Sequence, residues 1–338
     1  MFLTLKTILA PLSFFKDIMR PLILLSVLLR GVFCILPMWC WLSAYLHAQQ
    51  TRASQPCIPT TETGTLRFIA EFPARHILPR AVSIWLPPGY TPDKQYPVLY
   101  MHDGQNIFDS ACAFGHVAWE VDSIMTDLIK RRRIRECIVV GIHNTTLRFT
   151  EYMPQKPFFS TTTNEQTALL SHRNFAEKPI QSDAYLQWIV HELKPFIDST
   201  VATHRSREHT FIAGSSMGGL ISLYALCEYP QVFGGAACLS THWSVSLNDS
   251  TPAFPKALHR YISEQLPSVR SGHRLYFDYG TATLDRFYPK YQIITDSIMR
   301  KRGYTAKQWI TKEFRGAEHN ERAWKVRFAE PLQFLLRR

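Results

Sequence analysis

The chain has 338 residues, of which 46% are hydrophobic and 19% are charged. This balance excludes intrinsic disorder and fibrous repeats and predicts a globular protein with a substantial core. The formal net charge is +11, but the densest basic run, residues 130–133, falls where a helix is expected to end and where cations complement the helix dipole. No nucleic-acid partner is therefore predicted.

The N-terminal region differs in composition from the rest of the chain. Residues 21–46 carry one formal charge, Arg30, and an apolar segment of this length can span a bilayer. It fits a signal peptide cleaved after Ala48, an uncleaved membrane anchor, or a leader without a targeting role. We expect residues 1–57 to be a signal peptide or N-terminal membrane anchor plus linker. Residues 58–338 should then form one domain, periplasmic or membrane-anchored outside the cytoplasm.

Seven cysteines are present. Cys137, Cys227 and Cys238 lie in apolar or helical surroundings and are expected to be buried. Cys57 and Cys112 have small or polar neighbours and could either pair in an oxidising compartment or remain thiols. Because no Cys/His spacing typical of a metal site occurs, neither a metal nor a cofactor is predicted.

From residue 65 onward, short β-branched or apolar runs alternate with longer amphipathic stretches. This alternation predicts an α/β fold with a mostly parallel, doubly wound sheet. An antiparallel pair, 65–72 and 81–86, opens it. Further strands are predicted at 97–101, 138–142, 210–213, 235–239, 274–279 and 308–314. Helices are predicted at 119–130, 184–197, 217–228, 289–300 and 321–336.

One polar insertion, residues 148–182, interrupts this alternation. We expect it to lack regular structure. Long irregular segments inside compact domains are usually functional, which favours a lid or a substrate-shaping loop over a plain surface excursion.

Residues 214–218 read Gly-Ser-Ser-Met-Gly, the pattern G-x-S-x-G, between a predicted strand and a predicted helix. A sharp strand-to-helix turn presents a serine hydroxyl at the N-terminus of the helix. Ser216 is therefore the predicted nucleophile, and the amide of Met217 can stabilise an oxyanion beside it. A chance glycine-rich turn is the alternative, but the flanking strand and helix argue against it.

A serine nucleophile needs a histidine base and an acid that orients it, and in the α/β-hydrolase fold these follow the serine as acid, then histidine. Asp285 follows the strand 274–279, and His319 follows the strand 308–314. They are the predicted acid and base. Asp278 is a competing acid near the same strand end. His102 precedes the nucleophile, so we expect a hydrogen-bonded structural role for it.

The second oxyanion donor is expected from the loop that follows strand 97–101. Gly104 would let the backbone turn, so that the amide of Gln105 points at the same oxyanion as that of Met217. His242 and Trp243 follow the strand after the nucleophile and are predicted to line the substrate pocket, with core packing as the alternative.

Several segments together resemble the putative esterase (esterase D-like) family of α/β-hydrolases, which includes enterochelin, feruloyl and acetylxylan esterases. The segments are residues 102–106, 144–148, 151–152, 214–219, 280–281 and 319–321, the last with Trp324. The likeness covers about residues 65–336. It implies the α/β-hydrolase fold, the triad Ser216, Asp285 and His319, and backbone donors at Met217 and Gln105. Many relatives carry an acidic residue within two positions of the Gly-Thr pair, whereas this chain has alanine and threonine at 282 and 283.

The predicted function is that of a serine carboxylic ester hydrolase, acting on a small-molecule ester through an acyl-enzyme on Ser216. An acyltransferase and a serine peptidase use the same triad and remain alternatives. A non-catalytic binding module that kept the fold is a third.

Overall fold

A computed structural model describes residues 57–171, 179–250 and 252–337. Within them, one eight-stranded sheet has the strand order β1-β2-β4-β3-β5-β6-β7-β8. The strands are β1 (Thr65–Phe72), β2 (Arg80–Leu86), β3 (Val98–His102), β4 (Ile138–Ile142), β5 (Thr210–Ser215), β6 (Gly235–Leu239), β7 (Arg274–Gly280) and β8 (Trp309–Phe314).

The pairing of the strands changes direction once. Strand β2 is antiparallel to both β1 and β4, and all pairs from β4 to β8 are parallel. The central strands β3 to β6 are buried along their whole length, as expected for parallel strands covered on both faces. The predicted α/β-hydrolase fold, with its antiparallel opening pair, is confirmed.

Alternate residues of each strand face opposite sides of the sheet. Val98 and Tyr100 of β3 belong to one apolar cluster, and Leu99 and Met101 belong to another. Helices cover both sides. They are α1 (Val121–Lys130), α2 (Arg148–Tyr152), α3 (Gln155–Phe159), α4 (Thr163–Ser171), α5 (Ser182–Trp188), α6 (Lys194–Thr200), α7 (Met217–Glu228), α8 (Ala253–Gln265), α9 (Pro289–Lys301), α10 (Glu321–Arg327) and α11 (Ala329–Leu335).

Two helices that the sequence predicts as continuous are interrupted near a proline. Between α5 and α6 the chain forms a π-helical turn, Ile189–Leu193, in which the amide of Lys194 donates to the carbonyl of Ile189. This turn precedes Pro195, whose ring and missing N–H oppose an ordinary α-helical turn. The predicted helix 321–336 is divided at Phe328, because Pro331 has no N–H to donate to the preceding turn.

The prediction that residues 148–182 lack regular structure is wrong. Helices α2, α3 and α4 occupy 148–171, α5 begins at Ser182, and residues 172–178 lie outside the described ranges. These helices are too short to be stable alone, so they depend on packing against the core. Short helices of this kind leave little periodic pattern in the sequence. Phe149, Tyr152 and Phe158 are buried. Helix α8, between β6 and β7, was not predicted.

The described residues include one disulfide, between Cys57 and Cys112, with Cα atoms 5.5 Å apart. Cys137, Cys227 and Cys238 are buried free thiols, as predicted. The segment predicted to be a signal peptide or anchor lies outside the described residues. Among those that are described, no helix is both long and apolar enough to cross a bilayer.

Candidate active site

The turn between β5 and α7 holds Ser216 in an unusual backbone conformation, with φ 57° and ψ −121°. Few non-glycine residues adopt such angles, and they cost on the order of 1–3 kcal/mol. The neighbouring residues must be small. A Cβ atom on Gly214 would lie 2.8 Å from the carbonyl carbon of Gly218, so only glycine lets the strand and helix approach this closely. The turn has the geometry predicted from its sequence.

Ser216, His319 and Asp285 lie together although they come from separate loops. Ser216 Oγ is 2.8 Å from His319 Nε2, and His319 Nδ1 is 2.5 Å from Asp285 Oδ1. Asp285 is completely buried, and the His319 side chain is 12% exposed. This chain of hydrogen bonds links the serine hydroxyl to a carboxylate through one imidazole, which is the arrangement that activates a serine nucleophile.

Asp285 reaches His319 from a 3₁₀ turn, Thr283–Phe287, that follows β7. Burial alone would raise the pKa of Asp285, but the hydrogen bond and charge of His319, with hydrogen bonds from Ser240 and Gly280, hold it below its usual value. Asp278, the competing candidate for the acid, is not hydrogen-bonded to His319. It is part of β7 and pairs with Arg327 at 3.0 Å. Burial raises the pKa of Asp278 to about 6.

Met217 and Gln105 are the residues predicted to supply backbone donors to an oxyanion. Met217 is the first residue of α7, so its N–H has no partner within the helix. Gln105 belongs to the 3₁₀ turn Gly104–Asn106 and lines the same cavity as Ser216. The turn itself is made by Asp103, with φ 57°. Gly104 was expected to supply it, but is instead required for close packing, since a Cβ there would lie 2.6 Å from the carbonyl carbon of Gly141.

The cavity in front of Ser216 has a volume of about 420 Å³. One side is apolar and largely aromatic, formed by Ile107, Phe114, Trp119 and Trp324. The Trp324 ring and the His319 imidazole pack nearly perpendicular to each other, with ring centres 5.0 Å apart. A cavity of this size suits a small organic ligand.

Another part of the cavity lining is polar and charged. The Arg148 guanidinium donates to both oxygens of Asp103, at 2.6 and 2.7 Å, and the Asn144 amide donates at 2.6 Å. Burial would raise the pKa of Asp103, but Arg148 and Asn144 lower it. Glu321 completes this part, and burial together with the Asp103 charge raises its pKa.

The family model described as "Putative esterase" matches residues 78–335. The chain belongs to this family. The uncharacterized protein YbbA of Bacillus subtilis (strain 168) is 23% identical over 264 residues, which cover 76% of this esterase and 92% of YbbA.

Solved structures show the same fold. A ferulic acid esterase superposes with a TM-score of 0.57 and 19% identity, covering 80% of this chain and 98% of that one. An IroE-like serine hydrolase from Shewanella oneidensis gives a TM-score of 0.58 and 20% identity, covering 80% of each chain. Family and fold together identify the chain as an enzyme of the carboxylic ester hydrolase class.

His102 of the esterase is buried, and its Nδ1 lies 2.8 Å from the Tyr185 hydroxyl. His319, and not His102, is the histidine hydrogen-bonded to Ser216. Burial lowers the pKa of His102 to about 3, with the nearby charge of Arg148 acting in the same direction. The neutral imidazole is therefore a buried part of the cavity lining.

This burial predicts acid sensitivity. The unfolded chain binds a proton at His102 below about pH 6.5, whereas the native state does so only near pH 3, so the free energy of unfolding falls as pH falls through this window. One such proton contributes about 1.4 kcal/mol per pH unit. The free energy of unfolding, measured in urea, is expected to fall less between pH 7 and pH 5 in His102→Gln than in the wild type. The difference should be about 2 kcal/mol.

His76→Gln is the matched control, because His76 is solvent-exposed. Its drop between pH 7 and pH 5 should equal that of the wild type. Buried His143, whose pKa burial lowers to about 4, adds to the drop in every variant and does not affect the comparison. Equal drops in the His102 variant and the wild type would contradict the assignment of His102 as a neutral buried group.

His242 and Trp243 do not line the cavity described above. The His242 Nδ1 lies 2.7 Å from the Tyr288 hydroxyl, and the Trp243 ring stacks on His259 of α8 with ring centres 5.5 Å apart. Both side chains are 1% exposed. The chain turns inward after β6, so core packing, the alternative to a pocket position, describes these residues better.

Sequence reasoning did not single out the cavity walls. Asp103, Arg148 and Glu321 occur in segments that carry the family resemblance, but their meeting in one cavity was not predicted. The aromatic residues of the cavity could have been suspected from their position in the sequence. Phe114 and Trp119 lie in the connection between β3 and α1, and connections at the carboxyl ends of parallel strands are where α/β proteins place ligand sites.

Proposed function

We propose that this esterase hydrolyses small-molecule carboxylic esters through an acyl-enzyme on Ser216, with His319 as general base and Asp285 as the acid that orients it. The observation that carries the proposal is the position of His319, within hydrogen-bonding distance of both Ser216 Oγ and Asp285 Oδ1. The Met217 and Gln105 amides are the proposed oxyanion donors.

In the first half-reaction, the Ser216 oxygen attacks the ester carbonyl carbon while His319 Nε2 accepts the hydroxyl proton. The carbonyl oxygen becomes an oxyanion, which the two backbone N–H groups stabilise. As the intermediate collapses, the imidazolium donates the proton to the departing alcohol, and the acyl group stays on Ser216. Water then attacks the acyl-enzyme by the same steps and releases the carboxylic acid.

The cavity supports a small ester with an apolar part. Ile107, Phe114, Trp119 and Trp324 can pack against an aryl or alkyl group. Arg148, which also lines the cavity, is paired with Asp103, so its charge is largely neutralised and it offers the substrate a polar group rather than a free cation.

The proposal is tested by substrate class. The purified protein should hydrolyse p-nitrophenyl acetate, and a fluorophosphonate that reacts with Ser216 should abolish this activity. The purified protein should not cleave a peptide p-nitroanilide. When an alcohol is added, little of the acyl group should be transferred to it. Preferential amide cleavage would favour the serine peptidase, and preferential ester synthesis the acyltransferase. No reaction with either substrate or with the fluorophosphonate would reject the proposal.

We also propose that the catalytic part acts outside the cytoplasm, in the periplasm or attached to the membrane. Two features support this: the disulfide between Cys57 and Cys112, a bond that persists in oxidising compartments, and the apolar segment predicted at residues 21–46. Fractionation of cells that express the full chain would test the proposal, and a purely cytoplasmic enzyme would contradict it.

A further inference from the structure

A buried cluster of polar and charged side chains lies behind Asp285. We propose that Ser240 and Arg327 are positioning residues that hold the Asp285 carboxylate in the orientation in which its other oxygen meets His319, and that Asp278 serves as the counterion of Arg327. This inference rests on the proposed function, because it assigns the three residues roles relative to the triad.

Ser240 can donate its hydroxyl hydrogen in only one direction. Its Oγ lies 2.6 Å from Asp285 Oδ2, 2.9 Å from Trp324 Nε1 and 2.6 Å from an Arg327 guanidinium nitrogen. The tryptophan and arginine groups are donors only, so both must donate to the serine oxygen. The serine hydrogen is therefore directed at Asp285. With the amide of Gly280, at 2.5 Å from the same carboxylate oxygen, Ser240 fixes the carboxylate plane.

Arg327 lies closer to Asp278 than to Asp285. The same guanidinium nitrogen is 3.0 Å from Asp278 Oδ1 and 3.8 Å from Asp285 Oδ2, and all three side chains are at most 2% exposed. A buried cation needs an anionic partner, and Asp278 supplies it. Asp285 consequently keeps more of its negative charge for the imidazolium that forms at His319 during the reaction.

One short segment provides the base and both donors to Ser240. His319 is followed by Asn320, whose side chain accepts from the Ala323 amide at 3.0 Å and caps the start of α10. Trp324 and Arg327 are three positions apart on this helix, so they share a face. A change that displaced α10 would therefore disturb the base and the support of the acid together.

The first test compares Ser240→Ala with the wild type in p-nitrophenyl acetate hydrolysis. We expect kcat to fall about 10- to 100-fold and KM to change less than about 2-fold, since ground-state binding does not involve Ser240. Ser83→Ala is the control: Ser83 is equally buried and hydrogen-bonded to a histidine at 2.9 Å, but on β2. It should keep the wild-type kcat. A wild-type kcat in folded Ser240→Ala would overturn the proposal.

A double-mutant cycle separates positioning from general structural support. If Ser240 acts through Asp285, Ser240→Ala should cost little further rate in an Asp285→Asn background. A full additional loss there would contradict the proposal. Activity that survives in Ser216→Ala would instead reject the proposed function itself, so the two failures are distinguishable.

Arg327 is tested with its charge partner. Arg327→Lys keeps a buried cation and should retain more kcat than Arg327→Met. The double variant Asp278→Asn/Arg327→Met leaves neither charge unpaired, so its stability should exceed that of Arg327→Met while its kcat stays below the wild type. A double variant with wild-type kcat would show that the ion pair serves stability alone and would overturn the role of Arg327.

Discussion

Replacing Ser216 with alanine is expected to lower kcat for ester hydrolysis by on the order of 10⁵- to 10⁶-fold, because it removes the hydroxyl that is hydrogen-bonded to His319. Stability should change little. The hydroxyl contacts His319, whereas the backbone strain at φ 57° and ψ −121° is the same for serine and alanine. The measurement is single-turnover and steady-state hydrolysis of p-nitrophenyl acetate, with circular dichroism to confirm folding.

Two controls sharpen this result. Ser222→Ala removes a buried serine hydroxyl from α7, the helix that follows Ser216, where it donates to the Gly218 carbonyl, and should keep most of the activity. Ser216→Gly should be as inactive as Ser216→Ala but at least as stable as the wild type, since glycine relieves the backbone strain. Substantial activity in a folded Ser216→Ala protein would remove Ser216 from its proposed role.

The sheet could be predicted from the sequence because its strands are short apolar runs separated by clear helix and turn signals. The turn at Ser216 was predictable for a local reason, since both its chemistry and its strain depend on the five consecutive residues 214–218. The order of serine, aspartate and histidine along the chain then restricted the other candidates to two loops. In the structure His319 is hydrogen-bonded to Ser216, and Asp285 to His319.

The positions of His242 and Trp243 could not be predicted because they depend on an element that was missed. Helix α8 provides His259, on which Trp243 stacks. Because that helix was not predicted, no buried packing partner for Trp243 could be identified from the sequence. A position in the substrate pocket was therefore favoured. The short helices of the insertion were missed for a related reason: their stability comes from tertiary contacts that a sequence does not display.

The choice between Asp278 and Asp285 also required the structure. Both aspartates lie near the end of β7, and sequence spacing alone does not say which carboxylate turns towards His319. In the structure the 3₁₀ turn Thr283–Phe287 brings Asp285 to the imidazole. Asp278 is held in the strand by Arg327 and by the Ser240 amide.

Asp285→Asn is therefore expected to lower kcat by on the order of 10⁴-fold, the loss known for the equivalent change in a serine protease. An asparagine can hold the imidazole in the wrong tautomer and cannot stabilise the imidazolium. KM should change only modestly, because Asp285 is buried behind His319 and does not line the cavity. Steady-state kinetics with p-nitrophenyl acetate measures both constants.

Asp278→Asn is the matched comparison, since it makes the same chemical change at a buried aspartate in β7, just before the turn that holds Asp285. It weakens the pairing of Arg327 and should lower stability, but its cost in kcat should stay within about 10-fold because the carboxylate on His319 remains. Folding of both variants must be checked by urea unfolding, so that lost activity is not lost protein. Reversed losses, with Asp278→Asn the more severe, would make Asp278 the acid of the triad and would contradict the orientation of Asp285 that the hydrogen bonds of Ser240 and Gly280 imply.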